Sequence, residues 1–205
     1  MTLVMVERSV VQVGDPILRR RAAEVPATEV TSDLISQLID RMWDTLEAVP
    51  GVGLAAPQIG EPLRVVVVHD LEEFFHNYTD EQLAERERQA IEPYVLINPV
   101  LSPVGPEMRN HFEGCLSLEG YMAAVERFHQ VGVDYLDPTG RRCARRVTGW
   151  HARILQHEVD HLNGTLYVDR MNSRTLCSTE AYSTLGALPT VEAVEFVTGA
   201  SDGGV

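Results

Sequence analysis

Residues 150–164 read WHARILQHEVDHLNG, a stretch that combines a helical apolar pattern with closely spaced histidines. Its apolar residues recur at the three- and four-residue spacing of one helix face: Ile154, Leu155, Val159 and Leu162. Gly149 precedes the pattern, and Asn163 and Gly164 follow it, as residues at helix ends commonly do. The spacing therefore predicts a helix over 150–162.

Two histidines of this helix are placed to bind one metal ion. His157 and His161 are four residues apart, so their imidazoles lie one turn apart on the same face. Glu158 lies beside that face, where a carboxylate can take a proton from a water molecule on the metal. The alternative is a helix with two unrelated histidines, because a five-residue match also arises by chance. The helical context favours the metal site.

Two histidines leave a catalytic metal site one protein ligand short. The extended metzincin pattern would place a third histidine where Tyr167 stands, and Glu180 is a carboxylate candidate further along the chain. Cys115, within the sequence EGCLS at 113–117, is another candidate, since a thiolate is a soft ligand suited to iron(II) or zinc. A lone cysteine is more often a small buried apolar residue, and we assign the other two cysteines to that class.

Residues 53–58 read GLAAPQ, which is either a tight turn or a loop alongside which a substrate lies. Glycine lets another chain approach the backbone closely. The side-chain amide of Gln58, at the end of this stretch, can donate a hydrogen bond to a developing oxyanion.

Taken together, these three motifs resemble the signature motifs of the peptide deformylases, G-x-G-L-A-A-P-Q, E-G-C-L-S and H-E-x-D-H. All three occur in the family's order, and the resemblance extends from about Asp15 to Met171. It implies a metal-dependent amidohydrolase that removes the N-formyl group from N-formyl-methionyl peptides and releases formate. Such an enzyme processes the N-termini of newly made proteins.

The resemblance also implies roles for individual residues. The residues that match the family's metal ligands are Cys115, His157 and His161. Glu158 matches the family's general acid/base. The Gln58 side chain and the Leu116 backbone N–H match its two oxyanion donors. Those that match residues around the substrate are Val52, Gly53, Glu113, Gly114 and Ile154. One divalent ion per chain is implied, with iron(II) as the usual ion and zinc, nickel or cobalt as common substitutes.

The methionine side chain of the substrate is expected in an apolar pocket. Its expected walls are Val52, Leu116 and Ile154, with His157 at its base.

One departure from the common bacterial pattern concerns the residues after EGCLS. That pattern continues with Ile/Val-Pro and then an arginine that orders the site through Glu113, whereas residues 118–122 here read LEGYM. Arg109 and Arg127 are both candidates to replace that arginine, and the sequence does not choose between them. The GYMA run and the Gly-Trp before the helix resemble the organelle-type branch and its bacterial relatives.

The fold implied by the resemblance is α+β, with antiparallel sheets around a central helix that carries the two histidines. Apolar patterns and turn residues predict its other elements: a helix at 31–49, strands at 65–68 and 94–97, a hairpin of 131–136 with 142–147, and a surface helix at 80–91 inside a charged insertion.

The chain divides into a catalytic domain at 1–175 and a C-terminal extension at 176–205. We expect the extension to be partly disordered in its final Gly, Ala and Ser residues. Val191–Val197 is a candidate strand within the extension.

Charge and hydropathy limit the partners. Lys and Arg total 17 and Asp and Glu total 30, which gives a net charge of −13 and argues against direct binding to nucleic acid. No segment approaches the run of about 20 apolar residues that spans a bilayer. Three cysteines suggest no disulfide framework. We expect a cytoplasmic protein, or one in an organelle matrix if a transit peptide has been removed. Whether it is a monomer or a dimer is not decided.

Two rival functions belong to other classes. A zincin-type endopeptidase would use His157, His161 and a downstream carboxylate, and would be indifferent to Cys115. A structural metal site in a binding module would have a closed coordination sphere and would leave Gln58 and Glu158 without a role.

Overall fold

The computed structural model describes residues 10–185, 188 and 190–199. The strands are β1 Gly53–Ala55, β2 Val65–Asp70, β3 Ile91–Pro103, β4 Met108–Cys115, β5 Leu118–Phe128, β6 Gln130–Leu136, β7 Arg142–Thr148 and β8 Cys177–Ser178. The helices are α1 Asp33–Glu47, α2 Asp80–Arg86, α3 Gly149–Leu162, α4 Thr179–Leu185 and α5 Thr190–Thr198. The predicted α+β class is confirmed.

The strands form two antiparallel sheets on either side of the α3 helix. Five strands pair in the order β1-β2-β3-β6-β7, and three pair in the order β4-β5-β8. The helix packs against the larger sheet and against β5. Its apolar residues Ile154 and Leu155 join a buried cluster with residues of the larger sheet: Val66, Val68, Leu96, Val131 and Val133. The predicted central helix is confirmed, and burial of its apolar face holds it between the sheets.

Helix α1 covers the outer face of the larger sheet. Ser32 caps its N-terminus by accepting a hydrogen bond from the Ile35 N–H at 3.4 Å. Its buried stripe of Leu38, Met42 and Leu46 packs against residues of β1 and β2: Leu54, Val65 and Val67. The predicted helix at 31–49 is confirmed in slightly shorter form.

Several predicted elements have different limits in the structure. Strand β3 continues past Asn98 and Pro99, where the sequence predicted its end, because Asn98 takes a positive φ of 53° and the register shifts there. Such a bulge lets one strand continue along a second partner. Helix α2 ends at Arg86 because Glu87 takes the left-handed conformation, with φ 49°. The predicted hairpin of β6 and β7 is confirmed.

The described part of the C-terminal extension packs on the smaller sheet. Strand β8 pairs with β5, and helices α4 and α5 cover a buried cluster formed by Phe112, Ala124, Leu185 and Ala193. The candidate strand at Val191–Val197 is wrong, since these residues belong to helix α5. The expected disorder falls mainly on residues 200–205, which lie outside the described part. The division at residue 175 stays a prediction.

Every described helix is too short or too polar to cross a membrane. The longest, α1, has 15 residues and one apolar face, whereas a span needs about 20 apolar residues.

Replacing Gly164 with alanine should destabilise the fold more than the same change at Gly140. Both glycines have positive φ, 73° and 80°. An added Cβ at Gly164 would lie 2.6 Å from the Arg19 carbonyl oxygen, whereas the nearest atom at Gly140 is 3.8 Å away. In urea denaturation we expect Gly140→Ala to lower the free energy of unfolding by about 1 kcal/mol, and Gly164→Ala by about 3 kcal/mol or more. Equal losses would show that this close approach is unimportant.

Candidate metal centre and catalytic cleft

Three potential metal ligands converge where β4 meets α3. Cys115 ends β4, and a register shift between Gly114 and Cys115 marks a bulge at this point. His157 and His161 lie one turn apart on α3, and one ligand atom from each of the three residues lies within 4.8 Å of the others. The Cys115 Sγ is 3.3 Å from the His161 Nε2. The structure therefore brings the three predicted ligands together.

The other ligand candidates lie outside this group. Glu180 is exposed on α4. Tyr167, which stands where the metzincin pattern would place a histidine, is buried and donates its hydroxyl to the Tyr121 carbonyl oxygen at 3.1 Å. Among the described residues, no downstream carboxylate joins the two histidines as the endopeptidase alternative requires.

The donor set fits a single metal ion. One thiolate and two imidazoles suit iron(II), zinc and related ions, and three protein ligands leave a coordination position for water or substrate. Burial lowers the pKa of His161 well below its ordinary value, which keeps the ring neutral as metal binding requires. Burial also opposes protonation of His157, but hydrogen bonds to Cys115 and Glu113 outweigh burial and raise its pKa. Protons and metal ions compete for imidazole nitrogens, so a metal ion that binds His157 displaces a proton from its ring.

A buried carboxylate orients His157. The Glu113 Oε2 lies 2.9 Å from the His157 Nδ1, which leaves the Nε2 of the ring for a cation. Arg127 binds both oxygens of Glu113, at 2.9 and 2.8 Å, and Arg153 binds one at 2.6 Å. Burial alone would raise the pKa of Glu113, but the hydrogen bonds from Arg127 and His157 hold it well below its ordinary range. Glu113 is therefore an anion in the core.

The structure resolves which arginine orders Glu113. Arg127 does so, whereas the side chain of Arg109 is exposed and pairs with Glu107 at 2.5 Å. The sequence patterns did not indicate Arg153, which also donates to the Val125 carbonyl oxygen at 2.8 Å. Its position four residues before His157, on the same helix face, is the signal that could have found it.

The network continues beyond Glu113 through Asp160. The Asp160 carboxylate accepts from Arg127 at 2.5 Å and from the Nε and Nη2 of Arg170 at 2.6 and 2.7 Å. Alternating charges thus connect the half-exposed Arg170 to the predicted ligand His157. Asp160 is the aspartate of the H-E-x-D-H motif, but the sequence patterns assigned no role to it or to Arg170.

Glu158 is buried, and one of its carboxylate oxygens, Oε2, lacks a hydrogen-bond partner among the described residues. Burial raises the pKa of Glu158 to about 7, although the nearby His157 acts in the opposite direction. Gly53 makes room for this side chain, because a Cβ at Gly53 would lie 2.6 Å from the Glu158 Oε1. The glycine of the first motif and the glutamate of the third are therefore in close contact.

Gln58 is buried with its amide held in one orientation. Its Oε1 accepts from the Ala55 N–H at 2.9 Å. Its Nε2 donates to the Ser117 Oγ at 3.3 Å and lies 3.8 Å from the Cys115 Sγ. The donor end of the amide therefore faces Cys115, one of the predicted metal ligands.

A cleft of about 720 Å³ opens over these side chains. Its lining includes every residue expected around the substrate: Val52, Gly53, Glu113, Gly114, Leu116, Ile154 and His157. It also includes residues that the sequence did not point to as site residues: Tyr78, Arg86, Arg88, Trp150 and Tyr182. A second cavity of about 500 Å³, beside Glu87 and His151, contains none of the expected site residues.

Comparison with known proteins gives consistent matches. Residues 7–176 match the family model for polypeptide deformylase. The chain is 46% identical over 166 residues to peptide deformylase 1A, chloroplastic/mitochondrial, of Arabidopsis thaliana, a match that covers 81% of this chain and 62% of that protein. It is 42% identical to peptide deformylase 1 of Streptomyces coelicolor, covering 88% of this chain and 81% of that protein.

A solved structure matches at the level of the fold. The Met-Ala-Ser-bound class I type b peptide deformylase of Acinetobacter baumannii superposes with a TM-score of 0.70 at 36% identity, covering 79% of this chain and 96% of that one. The relatives include plant organelle and bacterial proteins, as the sequence motifs indicated. This chain belongs to the polypeptide deformylase family.

Proposed function

We propose that this protein is a peptide deformylase that hydrolyses the N-formyl group of N-formyl-methionyl peptides and releases formate. The observation that carries the proposal is the convergence of Cys115, His157 and His161 at a cleft that Glu158, with its unpartnered carboxylate oxygen, also lines. A closed structural metal site would have no use for such a carboxylate. Family membership supports the same reaction.

Cys115, His157 and His161 would hold the metal ion, and we propose iron(II), with zinc, nickel or cobalt as substitutes. A thiolate and two imidazoles suit each of these ions. When bound, the ion supplies positive charge that polarises the formyl carbonyl and lowers the pKa of a water molecule. Glu113 fixes the ring of His157, which favours a preformed set of ligands.

Glu158 is proposed as the general acid/base. Hydrolysis requires a water molecule to lose a proton as its oxygen adds to the formyl carbon. The amine nitrogen must gain a proton as the C–N bond breaks. A buried carboxylate with a free oxygen and a pKa near 7 is suited to both transfers.

The oxyanion that forms on the formyl oxygen needs hydrogen-bond donors. We assign this role to the Gln58 side-chain amide and the Leu116 backbone N–H. The orientation of the Gln58 amide supports the first assignment, because the Ala55 N–H occupies its oxygen and leaves the NH₂ group toward Cys115. Donors held in place before the reaction stabilise developing charge most effectively.

The substrate methionine would enter the cleft between Val52, Leu116 and Ile154, with His157 at the base. These side chains line the cleft and are mainly apolar, as a thioether side chain requires. The backbone at Gly53 and Gly114 would lie alongside the peptide. The solved relative from Acinetobacter baumannii holds Met-Ala-Ser, a peptide that begins with methionine.

The proposed partners are nascent peptides in the cytoplasm or, in an organelle, its matrix. A net charge of −13 disfavours direct contact with ribosomal RNA.

Formate release is the direct test of this function. Protein purified without oxygen and analysed for metal should release formate from formyl-Met-Ala-Ser and leave acetyl-Met-Ala-Ser intact, since acetyl adds a methyl group at the reacting carbon. Oxygen is excluded because a thiolate and iron(II) are both oxidisable. Cleavage of internal peptide bonds without formate would support the endopeptidase alternative and overturn the proposal.

Replacing Glu158 with glutamine should remove the proton transfers and leave the metal in place. We expect turnover to fall by about 10²-fold or more, with one ion per chain still bound. Glu126, an exposed carboxylate on β5, provides the matched control, and Glu126→Gln should behave as wild type. Turnover of Glu158→Gln within about threefold of wild type would contradict the assigned role.

A further inference from the structure

The substrate cleft extends beyond the expected methionine walls. Besides Ile154, its lining includes Arg86 on α2 and Tyr182 on α4. The first belongs to the charged insertion and the second to the C-terminal extension. Both segments lie far in sequence from the three motifs, yet both border the cleft.

Tyr182 is held in place from two directions. Its ring packs on Phe112 with the ring centroids 4.9 Å apart. Its hydroxyl accepts a hydrogen bond from the Arg86 Nη2 at 3.3 Å. Phe112 directly precedes Glu113, the carboxylate that orients His157, and both residues lie on β4, the strand that ends at Cys115.

The extension is also tied to the insertion and to β4 at a second place. The backbone N–H of Thr190 donates to the Glu85 Oε1 at 2.7 Å. The Thr190 hydroxyl lies 3.0 Å from the His111 Nδ1. These contacts, together with the pairing of β8 and β5, fix α4 and α5 relative to the cleft. A rigid wall is what a size-selective pocket requires.

We propose that Tyr182 closes the far end of the substrate cleft and limits the size of the first side chain that the enzyme accepts. The inference rests on the proposed deformylase function and assigns to the C-terminal extension a part in substrate selection. This wall consists of the Tyr182 ring together with the Arg86 guanidinium that binds its hydroxyl. A substrate side chain short enough to stop before the wall is therefore favoured over a longer one. Pockets of this kind discriminate by about 10- to 200-fold for a difference of one methylene.

The test compares two substrates, formyl-Met-Ala-Ser and formyl-Trp-Ala-Ser, in metal-analysed protein. Tyr182→Ala and Tyr182→Leu shorten the wall, so the ratio of kcat/KM for the tryptophan substrate to that for the methionine substrate should rise by about tenfold or more. Tyr182→Phe keeps the ring and should leave the ratio within about threefold of wild type. Phe196→Ala removes an exposed ring of the same extension, outside the cleft lining, and serves as the matched control.

The Tyr182→Leu variant retains an apolar contact with Phe112, so it keeps the test valid if Tyr182→Ala fails to fold. An unchanged ratio in a folded Tyr182→Leu variant would overturn the inference. An equal loss of kcat/KM on both substrates would also overturn it, because that result indicates a purely structural role. Absence of formate release by the wild-type protein would instead refute the deformylase function itself, so the two failures are distinguishable.

Discussion

The site depends on one buried anion, the Glu113 carboxylate. It accepts hydrogen bonds from Arg127 and Arg153 and contacts the His157 Nδ1, and these partners belong to β5 and α3. A charge in the core is tolerated only when it is paired and fully hydrogen-bonded, so removing one partner would leave an uncompensated buried charge. The same contacts that join the smaller sheet to the helix also orient the imidazole of His157, a proposed metal ligand.

The features that the sequence predicted are those encoded within a few residues. The i, i+4 spacing of His157 and His161, with the helical pattern around it, is enough to predict two imidazoles on one face. Turn chemistry predicts the β6–β7 hairpin, and an apolar stripe at helical spacing predicts α1. The resemblance of three short motifs singled out Cys115, which the residues alone left beside Glu180 as a candidate third ligand.

The features that the sequence did not predict depend on contacts between distant residues. The roles of Arg153 and Asp160 depend on partners in other elements, Glu113 and Arg127. A local sequence pattern identifies both residues only as charged positions of a helix. Strand β3 continues through Asn98 because tertiary pairing outweighs the local turn signal. The extension lies against the cleft because Tyr182 packs on Phe112, a residue far earlier in the chain. Helix α5 forms where β-branched residues suggested a strand.

The central claim is that Cys115 completes a single metal centre with two imidazoles of α3. Elemental analysis of anaerobically purified Cys115→Ala tests it most directly, with Cys143→Ala and Cys177→Ala as matched controls. The account predicts about one ion per chain in both controls and in the wild type, and a loss of most of the metal in Cys115→Ala, because a three-ligand site loses its thiolate. A full complement of metal in Cys115→Ala would contradict the account.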